Sequence, residues 1–338
     1  MRPVLTPSAR RLWRDRSTLQ LGRDARAAVL TGIDEGARAT LALLDGTRDR
    51  DQLLRDADRV GCPPDRTDYL LTLLDHGGLL DDAARDRSVL AELDRAERER
   101  LSADLGCLAL LRGDSGLGAA AHRRDAGVLV LGGGRVGAPL AALLAAAGTG
   151  AVEVLDLSAT RPQDAGVGGL GLDDVGRRRG DAATDRLRAT SPSVRSVGEP
   201  DVVVLAPVRD DELDAAREQV PRGVPHLLAE VRGTVGIVGP LVLPGRSACL
   251  RCLDLTRTDL DPGWPALAAQ LASPSRQADA CDGPLAVMVA AQAALQVLLL
   301  LDGTADPASV GGTLELALPD WRWRRRSWPV HPACRCAG

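Results

Sequence analysis

The chain has 338 residues, of which 45% are hydrophobic and 26% charged, and its formal net charge is −4. This composition predicts a soluble globular protein of about two domains and argues against a nucleic-acid or membrane partner. The first residues lack the apolar core of a signal peptide, so we expect a cytoplasmic protein whose seven cysteines are reduced. The most apolar stretch, residues 283–303, is interpreted as a buried helix rather than a membrane span.

Residues 1–86 form the first predicted domain. Two short strand candidates, 17–22 and 26–33, are expected to pair as a hairpin. Helical patterns follow at 34–47, 48–61 and 66–80, ending at Asp-Gly or Gly signals. Two strands with three short helices predict a small winged-helix-like module. A winged helix can also bind DNA, but residues 1–85 hold 14 arginines against 14 acidic residues. This balance provides no basic face for phosphate contacts, so DNA binding is the weaker hypothesis.

Residues 87–124 are predicted to be a helical connector, and strands alternate with helices from residue 125 to residue 338. This alternation is typical of a Rossmann-like α/β domain with a mostly parallel, doubly wound sheet, here with an antiparallel extension that makes the sheet mixed. The predicted strands lie at 127–133, 151–157, 200–208, around 226–245, 312–319 and 321–330, and the predicted helices at 138–147, 178–190, 210–219 and 284–301.

A glycine turn follows the first of these strands. Gly132, Gly134 and Gly137 have the spacing G-x-G-x-x-G, and Asp156 comes about twenty residues later. The glycines permit a tight turn whose helix N-terminus attracts a phosphate, and the carboxylate would accept ribose hydroxyls. Glycines at such turns also serve close packing, so the sequence leaves two interpretations of this turn, a nucleotide site and a purely structural turn.

An enzyme that adenylates a carboxylate needs Mg²⁺, and therefore a carboxylate near the phosphates. The third strand of the domain ends at Leu205, Ala206, Pro207 and Val208 instead. The acidic pair that follows at 210–211, Asp210 and Asp211, could substitute only if the loop turns back. The sequence therefore predicts that the fold is kept while ATP chemistry is lost.

Four cysteines occur in two close pairs, C-x-x-C and C-x-C. Two such pairs suit tetrahedral Zn²⁺, so we predict a structural zinc site; His331 replacing one ligand, or four idle thiols, are the alternatives. The predicted ligands are Cys249, Cys252, Cys334 and Cys336. The remaining cysteines, which are Cys62, Cys107 and Cys281, are predicted to serve packing. Cys281 is also a minor nucleophile candidate.

Residues 126–338 resemble the ThiF/MoeB-type, ubiquitin-activating-enzyme-like superfamily. The matching stretches, besides Asp156 and the cysteine pairs, are "VLVLGGGRVG", "DVGRRRGDAA", "DVVVLAPV" and "CDGPLAVMVAAQAALQVLLLL". The resemblance implies a nucleotide site at Gly132, Gly134, Gly137, Asp156 and Arg179.

The chain departs from this family at three places. Active members carry Asn-Leu-x-Arg-Gln after the second strand, where "SATRPQDAGVGG" leaves Arg161 and Gln163 displaced. They carry a phosphate-binding lysine at the position of Arg179, and Thr-Asp-Asn at Pro207–Arg209. These departures argue against ATP use by this chain.

Residues 1–86 resemble the PqqD-like peptide-recognition element, through "LLDGTRDRDQLL" and "LLTLLDHGGLL". Together the two modules resemble the leader-peptide-binding, ThiF-like partners of YcaO cyclodehydratases in the biosynthesis of azole- or azoline-containing peptides (RiPPs). The stretch "CLRCLDLTRTDLDPGWPALAAQL" is similar to that group.

The resemblance implies a non-catalytic or weakly catalytic protein, which captures the leader of a ribosomal precursor peptide and presents it to the cyclodehydratase. The rival hypothesis is an ATP-dependent adenylating enzyme that activates a peptide or carrier-protein carboxylate. Whether the ThiF-like domain forms a homodimer is left open. In the implied mechanism the leader adds as a strand to the hairpin edge. The candidate lining residues are Leu19, Leu21, Val29, Leu30, Tyr69, Leu70, Leu73 and Leu74.

Overall fold

The computed structural model describes residues 1–6, 9–23, 27–84, 88–209, 212–273 and 280–337. The chain divides into two compact units, Met1–Ala121 and His122–Gly338. The division falls within a helix, Leu117–Asp125. Most of the predicted connector therefore belongs to the first unit.

The first unit combines two small antiparallel sheets with helices. One sheet has the strand order β2-β3-β4, and the other pairs β1 with β5. Its strands and helices are β1 (Pro3–Leu5), β2 (Arg11–Trp13), β3 (Leu19–Leu21), β4 (Ala28–Leu30), α1 (Glu35–Leu43), α2 (Arg50–Arg59), α3 (Pro64–His76), β5 (Leu80–Asp82) and α4 (Arg95–Arg112). Helix α5 (Leu117–Asp125) contains the division between the units.

Aspartates start three helices of this unit. Asp34, Asp49 and Asp94 each accept a hydrogen bond from the backbone N–H three residues later. Such a cap satisfies one of the amide groups that a helix leaves unpaired at its beginning. The buried faces of the helices then pack on the sheet in a leucine-rich core.

The second unit is built on a seven-stranded sheet with the order β12-β11-β10-β9-β8-β6-β7. The four strands β7, β6, β8 and β9 are parallel, and β10, β11 and β12 continue the sheet antiparallel. These strands are β6 (Gly127–Leu131), β7 (Ala151–Leu155), β8 (Val202–Leu205), β9 (His226–Arg232), β10 (Val235–Val242), β11 (Gly312–Ala317) and β12 (Trp323–Ser327).

Helices cover both faces of this sheet. One face packs on α6 (Gly137–Ala146), α7 (Arg179–Thr190) and α11 (Gly283–Asp302). The other packs on α8 (Leu213–Glu218) and α9 (Leu250–Leu260), and α10 (Trp264–Leu271) contacts α9. Alternate residues of the strands face the two helix layers, which produces a doubly wound α/β architecture.

Helix α11 is long and apolar enough to cross a membrane by length and composition, and half of that stretch is buried. It packs against α6, β9 and β10. Its C-terminal end is fixed by a two-pronged ion pair, in which Arg123 Nε and Nη2 donate to the two carboxylate oxygens of Asp302 at 2.7 and 2.6 Å. These contacts are those of a core helix.

The sequence predicts the α/β domain correctly as a mixed sheet with helices on both faces. In the first unit it misses three strands of three residues each, β1, β2 and β5, so that the predicted hairpin is part of a three-stranded sheet. Helices α9 and α10 are also absent from the sequence expectations.

Candidate functional site

The glycine turn between β6 and α6 is held by close backbone packing. Gly132 has φ +111°, and a Cβ there would lie 2.0 Å from the backbone oxygen of Ala206. A Cβ on Gly137 would lie 1.9 Å from the oxygen of Gly132. Both positions therefore exclude any side chain, whether or not a nucleotide binds.

Val208 covers the middle of this turn. A Cβ added to Gly134 would lie 2.6 Å from Val208 Cγ2, and the Val208 N–H donates to Glu212 Oε2 at 2.9 Å. An apolar side chain thus lies against the glycine turn, where the sequence analysis expects a carboxylate in an adenylating enzyme. Asp210 and Asp211 lie outside the described residues.

Asp156 and Arg179 bind each other and the turn. The Asp156 carboxylate accepts from Gly133 N–H at 2.8 Å, from Ser158 N–H at 3.0 Å and from Arg179 Nε at 2.8 Å. It therefore ties the turn to β7 and α7 through contacts within the chain.

Arg179 is only 1% exposed and lies among three carboxylates. Besides Asp156, its guanidinium lies 3.6 Å from Asp164 and 3.5 Å from Glu212. Burial alone would lower the pKa of Arg179, but Asp156 and the other two carboxylates raise it above the ordinary value. Its charge is compensated internally, which weakens the implied role in phosphate binding.

A cavity of about 270 Å³ opens beside the turn. Its lining includes Gln163, Cys281 and three arginines, which are Arg135, Arg161 and Arg209. Arg161 and Gln163, which are displaced in sequence from the family pattern, thus reach the cavity. Arg135 and Arg209 lie inside stretches that the sequence analysis matched to the family, but the sequence reasoning gave neither residue a role.

Cys281 lines this cavity, and Arg135 Nη1 donates to its backbone oxygen at 2.6 Å. Burial raises the pKa of the Cys281 thiol despite the charge of Arg135. A thiol with a raised pKa is mostly protonated at neutral pH and is a poor nucleophile. The structure therefore gives no support to a nucleophilic role for Cys281.

The two cysteine pairs meet in one cluster. Their four sulfur atoms all lie within 4.8 Å of one another, with Cys249 Sγ 3.7 Å from Cys334 Sγ and Cys252 Sγ 3.4 Å from Cys336 Sγ. Without an ion the thiols perturb one another: backbone N–H donors from His331 and Cys249 lower the pKa of Cys252 to about 7 against its burial, while burial raises the pKa of Cys249 and of Cys336. Four convergent sulfurs fit a tetrahedral Zn²⁺ or a similar thiophilic ion.

His331 does not join this cluster. Its Nε2 lies 2.9 Å from Asp259 Oδ2, and its Nδ1 accepts from Ala333 N–H at 3.1 Å. Both ring nitrogens are engaged, so the four cysteines form the candidate ligand set.

The predicted peptide-binding residues separate into two groups. Five are buried in the core of the first unit: Leu19, Leu21, Leu30, Leu70 and Leu74. Three are exposed, namely Val29 (43%) on β4 and Tyr69 (68%) and Leu73 (40%) on α3. Residues four apart share one helix face, so Tyr69 and Leu73 form a short apolar strip.

No protein-family model and no curated protein matches the chain. Solved structures match it over its full length. E. coli MccB solved with ATP has a TM-score of 0.74 at 16% identity, with 100% of both chains covered. The microcin C7 biosynthetic enzyme MccB in complex with N-formylated MccA has a TM-score of 0.73 at 16% identity and the same coverage. PaaA has a TM-score of 0.70 at 18% identity over 95% of this chain and 99% of that chain.

At this identity the likeness shows the fold. The chain has the ThiF/MoeB-like fold. The predicted fold of the second unit is thereby confirmed, and the winged-helix-like, PqqD-like character of the first unit stays a prediction.

Proposed function

We propose that this chain recognises a ribosomally made precursor peptide in the cytoplasm and presents it to a separate YcaO-type cyclodehydratase. The first unit, as a PqqD-like winged-helix module, binds the leader peptide. The observation that carries the proposal is the outer edge of β4, which pairs with no further strand among the described residues and lies in the same unit as the exposed strip of α3. The full-length likeness to MccB, solved in complex with N-formylated MccA, supports it.

The leader binds by adding a strand to β4. An exposed strand edge leaves backbone N–H and C=O groups unpaired and invites such pairing. Because β4 has only three residues, its hydrogen bonds are few, and apolar anchors must supply most of the affinity. Val29, Tyr69 and Leu73 are the exposed apolar residues available for this role. An affinity around micromolar, about −8 kcal/mol, is expected.

The test is fluorescence polarisation of labelled leader peptides, encoded beside this chain, against the full-length protein. Tyr69→Ala and Leu73→Ala should each weaken binding by about 1–2 kcal/mol, or roughly 5- to 30-fold. Trp13→Ala is the matched control, because Trp13 is a similarly exposed aromatic residue on β2, at the opposite edge of the same sheet. A proline inside the docked leader segment should weaken binding more than a conservative side-chain change, because it removes a backbone donor.

Two outcomes would overturn the proposal. If Trp13→Ala abolishes binding while both α3 variants bind normally, the leader does not use the β4 edge. If every neighbouring leader is ignored while duplex DNA binds with a strong salt dependence, the first unit is a DNA-binding module.

In this proposal the cyclodehydratase, rather than this chain, uses ATP. Two observations support that division. Val208 lies against the glycine turn, and carboxylates of the chain itself compensate the charge of Arg179. The rival, an adenylating enzyme, is favoured by the arginine-lined cavity and by the likeness to MccB solved with ATP. Pyrophosphate release by the isolated chain with Mg²⁺, ATP and precursor, abolished by Gly134→Ala, would establish the rival. A melting temperature unaffected by ATP would support the recognition role.

We also propose that the cysteine cluster holds one structural Zn²⁺. Closing this site ties the last residues of the chain to the beginning of α9. The ion would neutralise thiolate charge and crosslink the tail to the sheet domain, which contributes directly to folding.

A further inference from the structure

The last strand of the large sheet, β12, forms an open edge. It pairs with β11 and with no further strand in the part of the chain that the structure describes. The Trp328 N–H donates inward to the Gly311 carbonyl at 2.9 Å. Because successive residues of an antiparallel strand direct their backbone groups to opposite sides, those of Trp323, Arg325 and Ser327 point outward. These outward groups are available to pair with one more strand.

This edge is basic, although the chain as a whole has a net charge of −4. The stretch DWRWRRRSW, which contains β12, holds four arginines and one aspartate. The side chains of Arg322, Arg324 and Arg326 are 81%, 65% and 61% exposed. Two carboxylates serve these three arginines. Asp320 contacts Arg322 and Arg324, and Glu315 lies 3.7 Å from Arg326, beyond hydrogen-bond distance.

The fourth arginine of the edge, Arg325, has only neutral partners within the described ranges. Its guanidinium donates to the backbone oxygens of Ala308 and Val310 at 2.7 and 3.1 Å, and to Ser327 Oγ at 2.6 Å. Four guanidinium groups thus share two carboxylates, which leaves an excess of positive charge along the outer strand. An incoming strand with negative side chains would compensate this excess.

A second copy of the chain does not fit this edge. Two β12 strands paired with each other would place arginines opposite arginines, and like charges opposed across strands are destabilising. Charges on an edge strand also protect a protein from aggregation, but such protection needs no exposed aromatic residue. Trp321, just before β12, is 43% exposed, and its φ of 56° is rare for a bulky side chain. A bound peptide can use this indole as an apolar contact.

We propose that β12 is the docking edge for an acidic, extended segment of another polypeptide. The segment adds to the seven-stranded sheet as a further strand, its carboxylates lie beside Arg324 and Arg326, and an apolar side chain contacts Trp321. A nucleic acid would pair with the arginines and leave the outward backbone groups of the strand unpaired, so the open edge selects a peptide. This surface goes beyond the proposed function, which places the leader at β4 of the first unit.

The test is fluorescence polarisation of the full-length protein with a labelled peptide of alternating glutamate and valine. We expect saturable binding that weakens as salt is added. The analogue with glutamine in place of glutamate should bind at least about tenfold more weakly, because it lacks the charge. Two further analogues keep the charge and carry N-methyl groups, one on the glutamate amides and the other on the valine amides. Only alternate amides of a bound strand face β12, so one analogue should bind about tenfold more weakly than the other.

Variants of the edge separate charge from strand pairing. Arg324→Glu combined with Arg326→Glu should weaken binding at least about tenfold. Ser327→Pro removes one outward N–H without changing the charge, and should weaken binding about fivefold. Trp321→Gly suits the left-handed backbone and removes the indole, so it should weaken binding without loss of stability. Arg95→Glu on α4 is the matched control, because that side chain is 88% exposed and lies outside the edge, and its affinity should be unchanged.

Unfolding curves establish that each variant is folded. Equal binding of the two N-methylated analogues, unchanged binding by a folded Ser327→Pro protein, or no saturable binding of the acidic peptide would each overturn the assignment. Tighter binding of single-stranded DNA or of anionic lipid vesicles than of the peptide would overturn it as well. Tyr69→Ala, which tests the leader site, should leave the binding of this peptide unchanged, so failure at β12 leaves the proposed function untouched.

Discussion

Replacing Cys334 by serine should release the metal and destabilise the second unit. Cys334 Sγ lies 3.7 Å from Cys249 Sγ, and the cluster packs with the buried residues Ala248, Leu253 and Trp328. If free zinc exceeds its Kd by about 1,000-fold, its binding stabilises the folded state by about 4 kcal/mol. In a unit of about 200 residues each kcal/mol shifts Tm by about 2–4 °C, so the expected loss is roughly 8–16 °C. Zinc bound by cysteines of the unfolded chain would reduce this figure.

The assay combines elemental analysis with calorimetric unfolding. The wild-type protein should contain about one zinc per chain, and Cys334→Ser much less. Cys107→Ser is the matched control, because Cys107 is an exposed thiol outside the cluster, and it should retain both zinc and Tm. Fluorescence of Trp328, now mostly buried, should shift to the red when the cluster opens. A serine variant with full zinc content, or a metal-free wild-type protein with an unchanged Tm, would refute the reasoning.

Three further predictions concern stability. Asp302→Asn should cost about 3–5 kcal/mol in urea unfolding, because it leaves the buried guanidinium of Arg123 without its ion pair; a loss below 1 kcal/mol would contradict this. Burial would raise the pKa of Asp174, but the Gly171 N–H and Arg186 outweigh it and lower that pKa. The stabilisation that follows from this lowered pKa is present above about pH 4 and is lost as pH falls further. In an acid titration of unfolding, Asp174→Asn should not show this loss of stability, and an identical profile in the wild-type and variant proteins would count against the reasoning. Gly134→Ala should destabilise the folded protein by about 1–3 kcal/mol, because the added Cβ overpacks against Val208. Val208→Ala in the same chain should restore most of the lost stability. Strictly additive effects in the double variant would show that the two side chains do not touch.

The predictions from sequence succeeded where the signal was local. The glycines at 132–137 lie within six residues and each cysteine pair within four, so the strand–turn–helix and the two thiol pairs could be expected before the fold was known. That the pairs meet, with Cys249 and Cys334 85 residues apart, was inferred from zinc chemistry and not from a local pattern. Short strands such as Pro3–Leu5 carry no periodic pattern and are formed by tertiary pairing, which a single sequence does not reveal.

The sequence could not show which of the eight candidate peptide contacts are buried and which are exposed. Leu70 and Leu73 look alike in the sequence, yet one is buried in the core and the other is exposed.

Arg179 shows how side chains of the chain itself anchor the glycine turn. A lysine at this position is a point charge, whereas the guanidinium fork donates through Nε and Nη2 to both oxygens of Asp156, at 2.8 and 3.2 Å. Asp156 in turn accepts from the Gly133 N–H, so the turn, β7 and α7 are linked without a nucleotide. The glycines at 132 and 137 must persist for backbone packing alone. The G-x-G-x-x-G turn of this chain is therefore explained by backbone packing and by the Asp156–Arg179 ion pair, whether or not a phosphate binds there.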